Sequence, residues 1–288
     1  MEHKKLEFTV PSECDGMNAN VFLKKYCKVS ARMITRLKRE KDGIIRDEKI
    51  LRTIDTVRAG DTIILSMPTD KNEVIPIKGE LNILYEDDYI IALDKPSDTP
   101  VHPTKIHQTD TLANFLAYRQ QRRGESFTFR AINRLDKDTS GIVVVAKDRY
   151  TAHQLFKNMN KTYAAVCEGI IVEKGTIDKP IRLLEDHTIQ RTTAPDGAPS
   201  VTHYTPILHT DRHTLLSITL ETGHTHQIRC HFSSIGYPLA GDDMYGGSLN
   251  FITRQALHCD FVSFVHPITG KFVEIKSELP EDIKDLIN

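Results

Sequence analysis

The sequence predicts an α+β protein, with a mixed, mainly antiparallel sheet as its larger part and a small α/β domain in front of it. Three observations predict this. Ile142-Val143-Val144-Val145-Ala146 is an unbroken apolar run rich in β-branched residues, the pattern of a strand buried on both faces. Val201 to Ile207 and Leu215 to Leu220 alternate apolar with polar across a short polar gap, as an antiparallel pair does. A basic stretch with helical spacing lies near the N-terminus and is followed by a Pro- and Gly-marked segment.

The 288 residues suffice for one large domain or for a small domain plus a larger one, and 39% hydrophobic with 27% charged residues fits a globular chain. No apolar run approaches membrane-spanning length, and Met1 to Glu7 lacks a signal-peptide core, so a cytoplasmic protein with no membrane partner is expected. Cys14, Cys27, Cys167, Cys230 and Cys259 are scattered and read as reduced packing residues. The net charge of −1 hides a segregation: Lys24 to Lys41 holds eight bases and one acid, a net of +7, leaving −8 for the rest. A basic module on an acidic body points to a polyanion partner, against the plainer reading of a solvated helix face.

The small domain is expected over residues 1–66. Val21, Phe22, Tyr26 and Val29 have helical spacing. Ser30 reads as the N-cap of a second helix with Met33, Ile34 and Leu37 on one face and Arg32, Arg36 and Arg39 opposite. Ile44–Ile45, Leu51 to Ile54 and Thr62 to Leu65 read as short strands. A linker is expected over 67–81, with Pro68, Pro76 and Gly79, leaving the small domain flexibly tethered.

The larger domain, 82–288, opens with two strands around the acidic turn of Ile83 to Pro96, then an extended proline loop carrying His102. Thr111 to Arg122 and Tyr150 to Met159 read as helices, and Lys161 to Gly169 as a strand ending in a turn. Arg182 to Ser200 is an irregular or hairpin excursion. Beyond the alternating pair, Thr222 to Phe232 leads into a short helix and the Gly-rich Gly241 to Gly247, where Asp242 either holds a loop near the site or, the favoured reading, caps that turn. Gln255 to Phe264 and Phe272 to Ser277 are final strands, and Glu281 to Ile287 a closing helix.

The charged turn before the buried run, Asn133-Arg134-Leu135-Asp136-Lys137-Asp138-Thr139-Ser140-Gly141, is the candidate site. Asp136-Lys137-Asp138-Thr139 has the paired aspartates of a magnesium-dependent phosphatase, but the apolar strand follows the motif here instead of preceding it. An isolated turn with Arg134 in a surface ion pair is the plainer reading. His224, His226, Cys230 and His231 invite a zinc reading, since His224, His226 and Cys230 share one face if the stretch is a strand, but no second cluster lies at finger-like spacing.

Taken with the rest of the chain, the stretch resembles the HRLDxxTSG signature of the RluA family of RNA pseudouridine synthases. Leu93-Asp94-Lys95-Pro96 with Val101-His102-Pro103 matches the family's first motif, and Lys161-Thr162-Tyr163 its K-x-Y strand. Thr222-Gly223-His224-Thr225-His226-Gln227-Ile228-Arg229 matches its TGRTHQIR segment. Gly236 to Asp242 and Ala256-Leu257-His258 match its later elements. The N-terminal segment resembles the RNA-binding domain first described in ribosomal protein S-four, through Arg36-Leu37-Lys38 and Val57-Arg58-Ala59-Gly60-Asp61.

These resemblances imply a pseudouridine synthase fold and an isomerase that converts specific uridines of ribosomal or transfer RNA to pseudouridine. They imply Asp136, Tyr163 and Arg229 as catalytic residues: Asp136 acting at the ribose, Arg229 keeping it ionised, Tyr163 packing on the uracil and removing the later proton. Arg134, Leu135, Ile228, His226 and Gln227 would bind substrate, the last two by hydrogen-bonding the loops of the site. Arg32, Arg36, Lys38 and Arg39 would grasp RNA phosphates. The isomerisation is redox-neutral, so no cofactor, metal or small-molecule partner is expected, and the protein is expected to be a monomer. Asn133, His224 and Asp98 depart from the family's usual His, Arg and Gly, and His224 with Asp98 makes the cleft less basic. A degenerate relative that only binds or chaperones RNA is the rival, and the surviving Asp136, Tyr163 and Arg229 set speaks against it.

Overall fold

The computed structural model describes residues 4–67, 74–125, 128–186 and 189–288. Its centre is β7 (Ser140–Ala146), every residue of which is buried. On one side β7 pairs antiparallel with β6 (Ile90–Lys95), itself paired antiparallel with β5 (Asn82–Glu86). On the other it pairs in parallel with β14 (Leu257–Val265), through His258 opposite Ser140 and Cys259 opposite Gly141. The sheet continues antiparallel through β8 (Asn160–Glu168), β13 (His213–Leu220), β12 (Val201–His209) and β9 (Gly175–Asp178). β15 (Phe272–Lys276) pairs with the far half of β14. The expected mixed, mainly antiparallel sheet is therefore present, with β7–β14 as its parallel pair among the described strands. The two chains there approach so closely that a Cβ at Gly141, whose φ is +109°, would lie 2.3 Å from the Cys259 carbonyl oxygen. Only glycine fits.

Helices cover the sheet. α3 (Leu112–Arg122) starts at Thr111, whose side chain and that of Asn114 form a capping box. α4 (Arg149–Asn158) is capped by Asp148 accepting from the Thr151 N–H at 2.8 Å. Leu116, Leu155 and Phe232 meet Leu93, Val143 and Ile218 in one core. The excursion of Arg182 to Ser200 contains a two-stranded hairpin, β10 (Ile181–Leu183) with β11 (Arg191–Thr193). α6 (Glu281–Lys284) closes the chain, and all five cysteines are free and buried.

The N-terminal unit has its own four-stranded sheet, in the order β1 (Lys5–Thr9), β4 (Thr62–Ser66), β2 (Ile44–Arg46), β3 (Lys49–Ile50). α1 (Ala19–Val21) runs into a π-helical turn, Phe22–Tyr26, and α2 (Ala31–Leu37) follows. Ser30 Oγ accepts from the Met33 N–H at 3.2 Å, and Met33, Ile34 and Leu37 are buried as their spacing predicts. Two readings need correction. β1 was not foreseen, and the strand expected over Leu51 to Ile54 lies at Lys49–Ile50 instead. The chain turns at Arg52 because the Asp55 carboxylate accepts from the Arg52 N–H at 2.9 Å, an alternative to the ladder.

The expected flexible tether is also corrected. Tyr150 of α4 is buried in the core of the N-terminal unit, and its hydroxyl donates to the Cys27 carbonyl at 3.0 Å. Lys4 lies 3.2 Å from Asp148 and 3.7 Å above the Tyr89 ring. Of the linker, residues 68–73 lie outside the described residues, while Ile77 N–H donates to Asn114 O at 3.2 Å, pinning its far end to α3. No helix among the described residues is long and apolar enough to cross a membrane.

Candidate active site

Asp136 sits on the loop that feeds β7. Its backbone carbonyl accepts from the Thr139 N–H at 3.2 Å, and side chains from distant motifs grip the rest of the loop. Lys95, buried at the end of β6, donates through Nζ to the carbonyls of Pro96 (2.8 Å), Thr99 (2.8 Å) and Lys137 (2.7 Å), so all three ammonium protons are used. Arg254 donates to the Asp138 carbonyl at 3.2 Å, and Gln255 to Thr139 Oγ1 at 3.1 Å. Asn133 is buried: its Nδ2 donates to Ile142 O at 2.7 Å and its Oδ1 accepts from Val144 N at 2.9 Å. Asn133 thus clips the loop to β7. A cavity of about 840 Å³ behind this loop, lined in part by Lys95, Arg254 and His258, lies away from the Asp136 carboxylate.

Arg229 reaches Asp136 from α5 (Gln227–Ser234). The stretch read as a strand for the zinc comparison is the left-handed entry to this helix, so His224, His226 and Cys230 do not share a face. His226, the residue before the helix, has φ 56° and ψ 18° and no capping hydrogen bond from its side chain. A left-handed non-glycine residue costs about 1–3 kcal/mol and persists when its surroundings fix it. Gln227 does much of that fixing. Its Oε1 accepts from Thr222 Oγ1 (3.0 Å) and His224 N (3.1 Å), and its Nε2 donates to Val201 O (3.0 Å) and Thr202 Oγ1 (3.1 Å). Gln227 is therefore fully spent on positioning.

The geometry at Asp136 is asymmetric. Arg229 Nη1 donates to Oδ2 at 3.3 Å, and His226 Nε2 lies 3.7 Å from the same oxygen. Among the described residues nothing hydrogen-bonds Oδ1. Arg229 makes its stronger pair elsewhere: Nε and Nη2 donate to the two carboxylate oxygens of Asp242 at 2.7 and 2.8 Å. Asp242 is fully buried, so it is not the cap of the Gly-rich turn that its position implied. A fork-on-fork pair of this kind fixes orientation as well as charge. Burial opposes the charge on Arg229, but Asp242 and then Asp136 overcome it and raise its pKa. Asp242 instead holds Arg229 at the site, closer to the less favoured of the two sequence readings, and its signal was the Gly241–Asp242 pair ending a family motif.

Tyr163 enters from β8, opposite a register shift of β14 between His258 and Phe261, a bulge that re-aims side chains beside the cleft. Burial pushes its phenol pKa well above the ordinary value, with Cys259 and Asp136 adding to the shift, so the phenol stays protonated at neutral pH. Burial lowers the pKa of His226, with Asp136 opposing, which favours the neutral imidazole. Its Nδ1 meets Tyr245 Oη at 3.0 Å.

Asp136, Tyr163, Arg229, Arg134, Leu135, Ile228, His226 and Gln227 all line one cleft. Arg134 is exposed there, whereas Leu135 and Ile228 are buried. His224 is exposed and its ring contacts Pro199 O at 3.2 Å. Asp98 has φ 61° and pairs with Lys137 at 2.6 Å, tying the proline loop to the Asp136 loop. Among the described residues no three of His, Cys, Asp and Glu gather as a metal site. Arg32, Lys38 and Arg39 are exposed on or just after α2, with Arg36 half-buried, in the N-terminal unit.

Comparison with known proteins points one way. The model of the family described as RNA pseudouridylate synthase matches residues 89–234. The uncharacterized RNA pseudouridine synthase YhcT of Bacillus subtilis is 37% identical over 291 residues, covering 98% of this chain and 96% of that protein. The ribosomal large subunit pseudouridine synthase D of Pseudomonas aeruginosa is 37% identical over 272 residues, covering 86% of this chain and 84% of that one. Among solved structures, human RNA pseudouridylate synthase domain containing 1 superposes with a TM-score of 0.56 at 26% identity, over 69% of this chain and 83% of that one.

Proposed function

The chain belongs to the RluA family of RNA pseudouridine synthases, isomerases that act on RNA, and we propose from that premise that it converts uridines of ribosomal RNA to pseudouridine with Asp136 as its catalytic residue. Relatives named as ribosomal large subunit pseudouridine synthases favour ribosomal over transfer RNA as the substrate. The observation that carries the assignment is the asymmetric carboxylate of Asp136: Oδ2 anchored by Arg229, Oδ1 without a hydrogen bond and in the cleft.

In this reading Arg229 pairs with Asp136 and fixes its rotamer, and the free oxygen acts at the target ribose. The bond from uracil N1 to the ribose C1′ breaks, the ring turns, and C5 bonds to C1′. A proton leaves C5 and N1 takes one up, so the overall reaction is redox-neutral. Tyr163 packs on the ring. Burial holds its phenol in the protonated form, which suits packing on the ring and leaves it without the free base that C5 deprotonation needs. Taking the uridine out of its stack costs a few kcal/mol, roughly, which RNA contacts elsewhere on the protein must offset. Arg134, exposed at the cleft, is placed to hold the vacated position, and the basic residues Arg32, Arg36, Lys38 and Arg39 to grip phosphates.

RNA tritiated at uracil C5 provides the test, since forming the new carbon–carbon bond must release that tritium. The wild type is expected to release it and Asp136→Ala to release none while still binding the RNA. A wild type that binds ribosomal RNA but releases no tritium would favour the chaperone reading.

A further inference from the structure

The hairpin of β10 and β11 that the excursion contains carries two arginines, each with a buried Nε that makes no hydrogen bond. Arg182 nonetheless has carboxylates beside it, with Nη2 3.1 Å from Glu185 and Nε 3.2 Å from Asp196. Arg191 has no hydrogen-bond or ion-pair partner for its side chain among the described residues, and its Nε is buried and unsatisfied. A buried guanidinium N–H without an acceptor is costly, and most such groups in folded proteins have a partner.

The backbone holds Arg191 beside the reaction centre. Its N–H donates to Tyr245 Oη at 2.8 Å, and Gln190 Nε2 donates to Met244 O at 2.8 Å. The same Tyr245 oxygen meets His226 Nδ1, the Tyr245 ring lies 5.0 Å from the Arg229 guanidinium, and both His226 and Arg229 face Asp136. The charge of Arg191 reaches the imidazole and helps lower its pKa. Arg229 is committed to the two carboxylates. Arg191 does not line the cleft itself, but its unpartnered guanidinium stands behind His226, which does.

We propose that Arg191 binds a phosphodiester of the RNA beside the target uridine, its planar fork taking the phosphate oxygens as acceptors. This rests on the RNA isomerase reading and adds a substrate contact to it. Arg191 is then a binding residue that contributes to RNA affinity and not to the chemical step.

The test uses the full chain, large-subunit ribosomal RNA transcribed in vitro with tritiated uracil C5, and Arg191→Gln and Arg191→Lys. For Arg191→Gln the Kd is expected to rise about tenfold at 50 mM salt, with the gap to wild type narrowing about threefold by 200 mM as one counterion-releasing contact is lost. Tritium release at saturating RNA and the melting temperature should stay at wild-type values. Arg191→Lys, which keeps the charge and loses the fork, should bind more weakly with the wild-type salt slope. Unchanged Kd and slope in Arg191→Gln would overturn the proposal. So would a fall in kcat alone, which would assign Arg191 to positioning His226. If Arg191→Gln fails to fold, a flattened slope in Arg191→Lys overturns it instead. A wild type that binds this RNA without releasing tritium refutes the catalytic reading, and the slope comparison still decides Arg191.

Discussion

At the scale of single residues, the site is a set of carboxylates whose charges are held by one guanidinium. Arg229 is shared unequally, bidentate on buried Asp242 and single-handed on Asp136. Removing a partner from a buried ion pair costs about 3–5 kcal/mol, because the remaining charge is left uncompensated. Asp242→Ala is therefore expected to lower the unfolding free energy by about that amount in urea titrations. It should also lower kcat for tritium release by roughly 10²-fold, the scale of a 1 Å misplacement, while RNA affinity changes little. A stable variant with wild-type kcat would show that Asp136 orients itself. Asn133 makes a different point. It drew notice in the sequence only as a departure from the family's usual residue, and both its hydrogen bonds go to the β7 backbone.

At the scale of elements, the glycine of the signature motif is explained by strand pairing. Ser140 and Gly141 begin β7, where it meets β14 in parallel, and His258 Nδ1 lies 2.8 Å from Ser140 Oγ across that pair. Gly141→Ala would place a methyl group against the Cys259 carbonyl at a backbone φ that L-residues avoid. The backbone strain alone costs about 1–3 kcal/mol and the clash adds to it. Calorimetry should find a lower melting temperature, with RNA binding retained by whatever fraction folds; an unchanged melting temperature would mean β14 can slide away. The same scale explains the one misjudged element of the site. Thr222 to Arg229 has no apolar period long enough to declare a helix, and its start is built by a left-handed histidine and the side chain of Gln227.

Over the whole molecule, two units with separate sheets and cores are joined by more than the connecting chain. Tyr150 and Lys4 make the N-terminal unit an extension of α4 and of the β5–β6 turn, so its basic helix has a set direction relative to the cleft. Arg32, Lys38 and Arg39 are exposed on a unit fixed in place, which suits the phosphate grip proposed for them. Replacing Arg32, Lys38 and Arg39 together with Gln is expected to reduce the slope of log Kd against log salt by about 2, leaving tritium release at saturating RNA unchanged. Filter-binding titrations from 50 to 300 mM salt would check it, and an unchanged slope would remove α2 from the RNA interface.

The buried strand after Asp136, the Ser30-capped helix and most of the large sheet's strands could be read from the sequence, each declared by local period or a capping residue. Asp136, Tyr163 and Arg229 were named through family resemblance, and the structure brings them to one cleft. Arg229's stronger allegiance to Asp242, the role of Asn133, the docking of Tyr150 and the unpaired Arg191 could not be read from the sequence. Those depend on which side chains meet across dozens of residues and on which find an acceptor after burial. Packing decides such matters, because desolvation makes a charge seek the nearest available partner whatever its distance along the chain.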